Sequence, residues 1–241
     1  MRTILIPLLL TFPALSDTYI HNSTISNSII GSNISQSNHI VGNNVYQTNN
    51  SSLLSTKNID LNNNFNSIQI NLPAKIEIRY SSKRSIRINM EKRFINNIST
   101  RIHNNRLKID TQGSINTRFK INIVINTPSL EILDVKSTAE VVLNNFNISN
   151  FKLSTSGTSK VTFLSGRIQN FYLNSQGTSK INLEAIDIKN ATIVSTGTSK
   201  TKIKVEETLN VNLSNIAKVM YLGNPTIKKR LIGLGKLIKI Q

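Results

Sequence analysis

One turn sequence occurs three times at a spacing of twenty residues: SGTSKVTF from Ser156, QGTSKINL from Gln176 and TGTSKTKI from Thr196. Gly157, Gly177 and Gly197 therefore fall in one column, and Lys160, Lys180 and Lys200 in another, with nothing inserted between copies. A fixed period of this length forces a chain to stack one small supersecondary unit on the next, because no single unit can bury its own apolar face.

The residues on both sides of each glycine alternate apolar and polar. Phe151 and Leu153, Phe171 and Leu173, and Ala191 and Ile193 come before it; Val161 and Phe163, Ile181 and Leu183, and Thr201 and Ile203 come after. Period two on both sides of a corner predicts two short strands per coil, with glycine supplying a positive φ without a Cβ penalty. The predicted fold class is all-β, a parallel β-helix-like solenoid with coils of ~20 residues. Stacked in register, Leu153, Leu173, Ile193 and Leu213 form one interior file, each contributing roughly 1.5–3 kcal/mol when fully buried. Asn150, Asn170, Asn190 and Asn210 form a second column, whose side-chain amides can hydrogen-bond along the stack. Ser137 to Glu140 take the turn position one period earlier, and Lys218 and Lys236 follow Lys200 at intervals of eighteen.

Upstream of the repeats the chain divides in three. Residues 1–16 read as a signal peptide, with basic Arg2, an apolar run from Ile4 to Leu15, and small Ala14 and Ser16 before Asp17. The run is too short for a spanning helix, so no transmembrane segment is expected in the mature chain. Residues 17–64 read as a low-complexity Asn/Ser-rich arm with almost no charge. The recurrence of Ile25, Ile29, Ile34 and Ile40 offers a second reading of the arm, a more degenerate solenoid. Residues 65–241 form the strand-rich domain, opening with SIQINL, KIEIRY and SIRINM. In these runs Ile68, Ile70, Ile76, Ile78, Ile86 and Ile88 face one way and charged or amide residues the other. Cysteine is absent, which removes disulfides, thiol catalysis and thiolate metal sites.

The formal net charge is +17, and all of it belongs to the domain: only Arg2 and Lys57 are basic, and only Asp17 and Asp60 acidic, up to residue 60. Such an excess favours anionic partners. With an export signal, anionic polysaccharide or another envelope polymer is the expected partner. Specific nucleic-acid recognition is not expected, since no reader motif is present and tryptophan is missing as a stacking platform. The lysine column suggests an anion-binding ridge of Lys160, Lys180, Lys200 and Lys218; the competing reading is a solvated edge that discourages strand pairing.

The sequence offers no recognisable set of catalytic residues. Histidine occurs only at His21, His39 and His103, and no phosphate-binding loop, nucleophile elbow or dinucleotide fingerprint is present. Glu131 with Asp134, and Glu206 with Glu207, are the least implausible carboxylate pairs for glycoside hydrolysis. No cofactor or metal site is predicted.

The strand-rich start, the glycine-turn repeats and the ending YLGNPTIKKRLIGLGKLIKIQ from Tyr221 resemble the bacterial auto-transporter adhesin head GIN domain family, over roughly residues 65 to 241. The resemblance implies a parallel β-helix-like stack, related in shape to pectin lyases but without catalytic residues, on exported proteins with an adhesive role. No functional residues are defined for the family. This chain departs from it in using GTSK where Gly-Ser-Gly is frequent, in its basicity and in its long arm. The sequence thus predicts an exported, non-enzymatic adhesion or binding module of the periplasm, outer surface or medium. The alternative is an envelope protein that self-assembles into homo-oligomers through its repeat face, and a polysaccharide lyase or hydrolase is a remote third.

Overall fold

The structure, a computed structural model, describes residues 53–241; the stretch 1–16 read as a signal peptide, and residues 17–52 of the stretch read as an arm, lie outside the described residues. It begins with strands β1 (Leu54–Asp60), β2 (Ser67–Ile70), β3 (Lys75–Tyr80) and β4 (Ser85–Glu91). A 3-10 helix at Lys92–Asn97 leads into β5 (Ile98–His103), β6 (Arg106–Thr111) and β7 (Asn122–Thr127). Then come β8 (Ile132–Val135), β9 (Glu140–Asn144), β10 (Phe146–Thr155), β11 (Lys160–Phe163) and β12 (Gly166–Ser175). The last are β13 (Lys180–Ser195), β14 (Lys200–Leu213), β15 (Lys218–Leu222), β16 (Thr226–Leu231) and β17 (Lys236–Lys239).

These strands build a β-solenoid whose successive coils pair in parallel. Ahead of the glycine turns, Leu153 pairs with Leu133 and Leu173, and Leu173 with Ile193; behind them, Val161 pairs with Val141 and Ile181. The residues that alternate inward are nearly all closed to solvent, including Leu153, Val161, Phe163, Leu173, Leu183 and Ile193 at 0 % exposure. Alternation breaks at Ser149 and Asn150, both exposed between buried Ile148 and Phe151, which marks a further corner in each coil. At that corner the Asn170 amide donates to the Asn150 side-chain carbonyl at 3.1 Å, and the Asn190 amide to Asn170 at 3.2 Å.

Hydrogen bonding along the stack continues through the turns. The Thr178 N–H donates to the Gly157 carbonyl and the Thr198 N–H to that of Gly177, both at 2.9 Å. Gly157, Gly177 and Gly197 take φ values of 92°, 87° and 85°, a region that L side chains rarely adopt. A Cβ at Gly177 or Gly197 would also lie 2.8 Å or 2.6 Å from the glycine carbonyl oxygen below it, whereas at Gly157 the nearest atom is 3.5 Å away. Inside each turn, Ser159, Ser179 and Ser199 are buried. Ser179 Oγ sits 2.5 Å from Ser175 Oγ, and Ser199 bonds Ser195. Thr158, Thr178 and Thr198 point to solvent.

Four details differ from the sequence reading. First, β1 lies inside the stretch 17–64 read as an arm, so its end is strand. β1 pairs antiparallel with β4, joined by the Asn89 amide donating to Thr56 Oγ1 at 3.0 Å. Second, the coil after β13 is shortened to eighteen residues by irregularities between Leu183 and Asn190, so Lys200 pairs with Lys218. Val211, not Leu213, continues the Leu153 file, and Thr208, not Asn210, ends the asparagine column, its hydroxyl 2.6 Å from Asn190 Oδ1. Third, Glu184 and Lys204, whose spacing of twenty suggests an ion pair across one coil, do not meet: Glu184 meets Lys202 at 3.0 Å, while Lys204 turns to Asp187 at 2.8 Å. Fourth, the first coil is out of sequence: β2 lies between β6 and β8, and β3 between β7 and β9, in both cases parallel. Antiparallel β5 covers β6, and β4 with β1 covers β7, closing this end of the stack.

The glycine geometry separates three otherwise equivalent positions. Gly157→Ala should cost about 1–2 kcal/mol, from the backbone conformation alone. Gly177→Ala and Gly197→Ala should each cost at least about 1 kcal/mol more, because the coil below must move as well. Urea denaturation of the three variants gives this ranking directly, and equal losses would contradict it.

Candidate functional site

The residue after each turn begins a strand and points outward, and in five successive coils it is lysine. Register places Lys160 beside Lys180, Lys180 beside Lys200, Lys200 beside Lys218, and Lys218 beside Lys236. The four lysines expected to form a ridge are thus brought into one file, and the file gains Lys236, whose spacing of eighteen was visible in the sequence. Each backbone is pinned by its N–H, which donates to the coil below: Lys160 to Ala139, Lys180 to Ser159, Lys200 to Ser179, Lys218 to Ser199 and Lys236 to Ala217, at 2.8–2.9 Å. Neighbouring backbones are therefore about one strand spacing apart, near 4.8 Å.

Like charges at that separation repel by roughly 1 kcal/mol per pair in water, and the long stems splay to reduce it. The nearby acids do little to offset this within the file. Glu140 closes the lower end, its carboxylate 2.8 Å from the Lys160 ammonium. That ammonium, hydrogen-bonded to it, holds the Glu140 carboxyl below the usual carboxylate range. Glu184, Asp187 and Glu207 are engaged by Lys202, Lys204 with Arg167, and Lys189 respectively. Among the described residues, Lys180, Lys200, Lys218 and Lys236 have no carboxylate within ion-pair distance. An anion lying across two rungs would meet two ammonium groups whose backbones cannot move apart.

The acids singled out for catalysis lie on other surfaces. Asp134 is 3.6 Å from Arg106 on the face built by β2, β8 and β10. Glu131 borders a shallow open groove on the same face, lined also by Asn150, Lys152, Asn170 and Tyr172. Glu207 is 3.2 Å from Lys189. No group of three or more potential metal-ligating side chains occurs among the described residues, and no helix among them is long and apolar enough to cross a membrane.

Residues 64–225 match the family described as "Putative auto-transporter adhesin, head GIN domain". Solved structures that share the fold include three described as adhesins. A putative adhesin from Bacteroides fragilis is 20% identical with a TM-score of 0.61, covering 78% of this chain and 97% of its own. One from Parabacteroides distasonis is 13% identical with a TM-score of 0.54 over the same shares. One from Parabacteroides merdae is 16% identical with a TM-score of 0.50, covering 78% and 96%. No curated protein matches the sequence.

The Glu140–Lys160 pair is largely exposed, so Glu140→Gln should lower stability by no more than about 1 kcal/mol at neutral pH. Because the folded carboxyl titrates below its unfolded value, the pair's contribution is present above the unfolded pKa and fades as pH falls through the folded one. Urea midpoints of parent and variant should therefore converge in acid; a gap that widens there would assign Glu140 another role.

Proposed function

The chain belongs to the auto-transporter adhesin head GIN domain family, and on that footing we propose that it is an exported, non-enzymatic adhesion module that holds anionic glycan or envelope polymers along its lysine file. The observation that carries this reading is the run of four lysines without acidic partners, each backbone fixed by a hydrogen bond to the coil below.

A linear polyanion lying along the coil axis meets one cation per coil, so its charges are neutralised repeatedly by one surface pattern. No bound conformation of the protein has to be created, because the ladder is already in register. Each contact is exposed and individually weak; affinity comes from number and falls with salt. Adhesion suits such a device, since many weak contacts hold a surface polymer without a cleft. An enzymatic role has less support, as Asp134 faces Arg106 and Glu207 faces Lys189.

The test is reversal of Lys180, Lys200 and Lys218 to Glu, with retention on an immobilised polyuronate measured at low and high salt. The parent should be retained and released by salt, and the triple variant should lose at least about tenfold in retention. Equal retention of parent and variant would reduce the file to a solvated edge. Light scattering on the same samples separates the self-assembly alternative, which predicts a concentration-dependent oligomer of the parent without polymer retention.

A further inference from the structure

The outer corner of the solenoid changes chemistry along its length. At the third turn position the sequence runs Thr158, Thr178, Thr198, then Ile216 and Leu234; at the first it runs Ser156, Gln176, Thr196, Ser214, then Ile232. Ile216, Ile232 and Leu234 are 58%, 48% and 67% exposed. The exposure of Ile216 does not come from an open end, because its turn is stacked on both sides. Its own N–H donates to Gly197 at 3.1 Å, and the Leu234 N–H donates to Asn215 at 2.8 Å. Leu231 is also exposed, but it continues an inward file through Leu213 and is not part of the corner.

Cations flank this apolar corner on both sides. Lys218 and Lys236 follow the two turns, and Lys228 and Arg230 alternate outward on β16, which leads into the second turn. From Thr208 to Gln241 the chain has five lysines, one arginine and no acidic residue. A hydrated polymer offers nothing to three aliphatic side chains held at a protruding corner. An anionic bilayer offers both parts: acyl chains for the aliphatic groups and headgroup phosphates for the flanking cations.

We propose that the corner formed by Ile216, Ile232 and Leu234 docks onto the surface of an anionic lipid bilayer, the three side chains entering the headgroup boundary while Lys218, Lys228, Arg230 and Lys236 meet phosphates. Lys218 and Lys236 belong to the lysine file as well, but Ile216, Ile232 and Leu234 do not, so variants of these three side chains test the bilayer contact without altering the file.

The chain has no tryptophan, so Leu234→Trp in the full chain places a single reporter at the corner. Emission should move to shorter wavelength with phosphatidylglycerol vesicles and stay unchanged with phosphatidylcholine vesicles. Adding Ile216→Thr and Ile232→Ser, residue types that earlier turns carry at these positions, should weaken the vesicle response at least about tenfold. An unchanged emission with phosphatidylglycerol vesicles overturns the proposal, even if the chain sediments with them through another segment. A shift that depends on protein concentration without lipid also overturns it, marking the corner as a contact between copies.

Discussion

The structure depends on hydrogen bonding between coils that continues through the turns. In most sheets the backbone leaves the ladder at a turn and water or side chains take over its polar groups. Here alternate turn amides donate to the coil below at 2.8–2.9 Å in the repeated turns, so each coil is a template for the turn of the next as well as for its strands. Glycine suits the corner in the three repeated turns, and Asn215 takes the same place with a φ of 59° one coil later. At Gly177 and Gly197 glycine takes the positive φ and also leaves room for a carbonyl that a methyl group would strike. The interior files, the asparagine column and the lysine file all follow from that one constraint, since each is a residue position repeated in register.

That constraint explains why much of the molecule was legible. Wherever the turn is present, position along the sequence maps onto position in the stack, and Lys160, Lys180, Lys200 and Lys218 could be placed side by side without coordinates. The reading failed where the mapping changes. The shortened coil after β13 moves every partner by two, which is why Val211 and Thr208 take places assigned to Leu213 and Asn210. The turn repeat gave no sign of where within the coil the shortening falls. Nor could hydroxyl direction be read: Ser159, Ser179 and Ser199 sit in turns of polar composition, yet they face inward because the lysine after each must face out.

The beginning of the domain was less legible for another reason. Strands β2 to β7 all carry the same apolar alternation, so their pattern says that they are strands but not which neighbours they choose. β1 lacks even that alternation. Its residues are half-buried or exposed throughout, and its place is fixed by pairing with β4. The charge distribution, by contrast, was visible in composition. Its local arrangement was not, because the acids that neutralise Lys202 and Lys204 reach them across the shortened coil.

The interleaved first coil has a consequence for how the chain assembles. A regular coil is completed by contacts across about twenty residues. The Ser129 hydroxyl, however, bonds the Phe65 carbonyl across 64 residues, and that of Ser137 the Leu72 carbonyl across 65. Closing longer loops costs more chain entropy before any contact repays it, and slows the step that needs it. The contacts of the repeats therefore close at the smaller entropy cost, and the β2–β3 layer, held between two neighbours on each face, closes at the larger. Once in place it acts as a latch: that end of the spiral cannot unwind one coil at a time, because freeing the layer requires peeling two faces together.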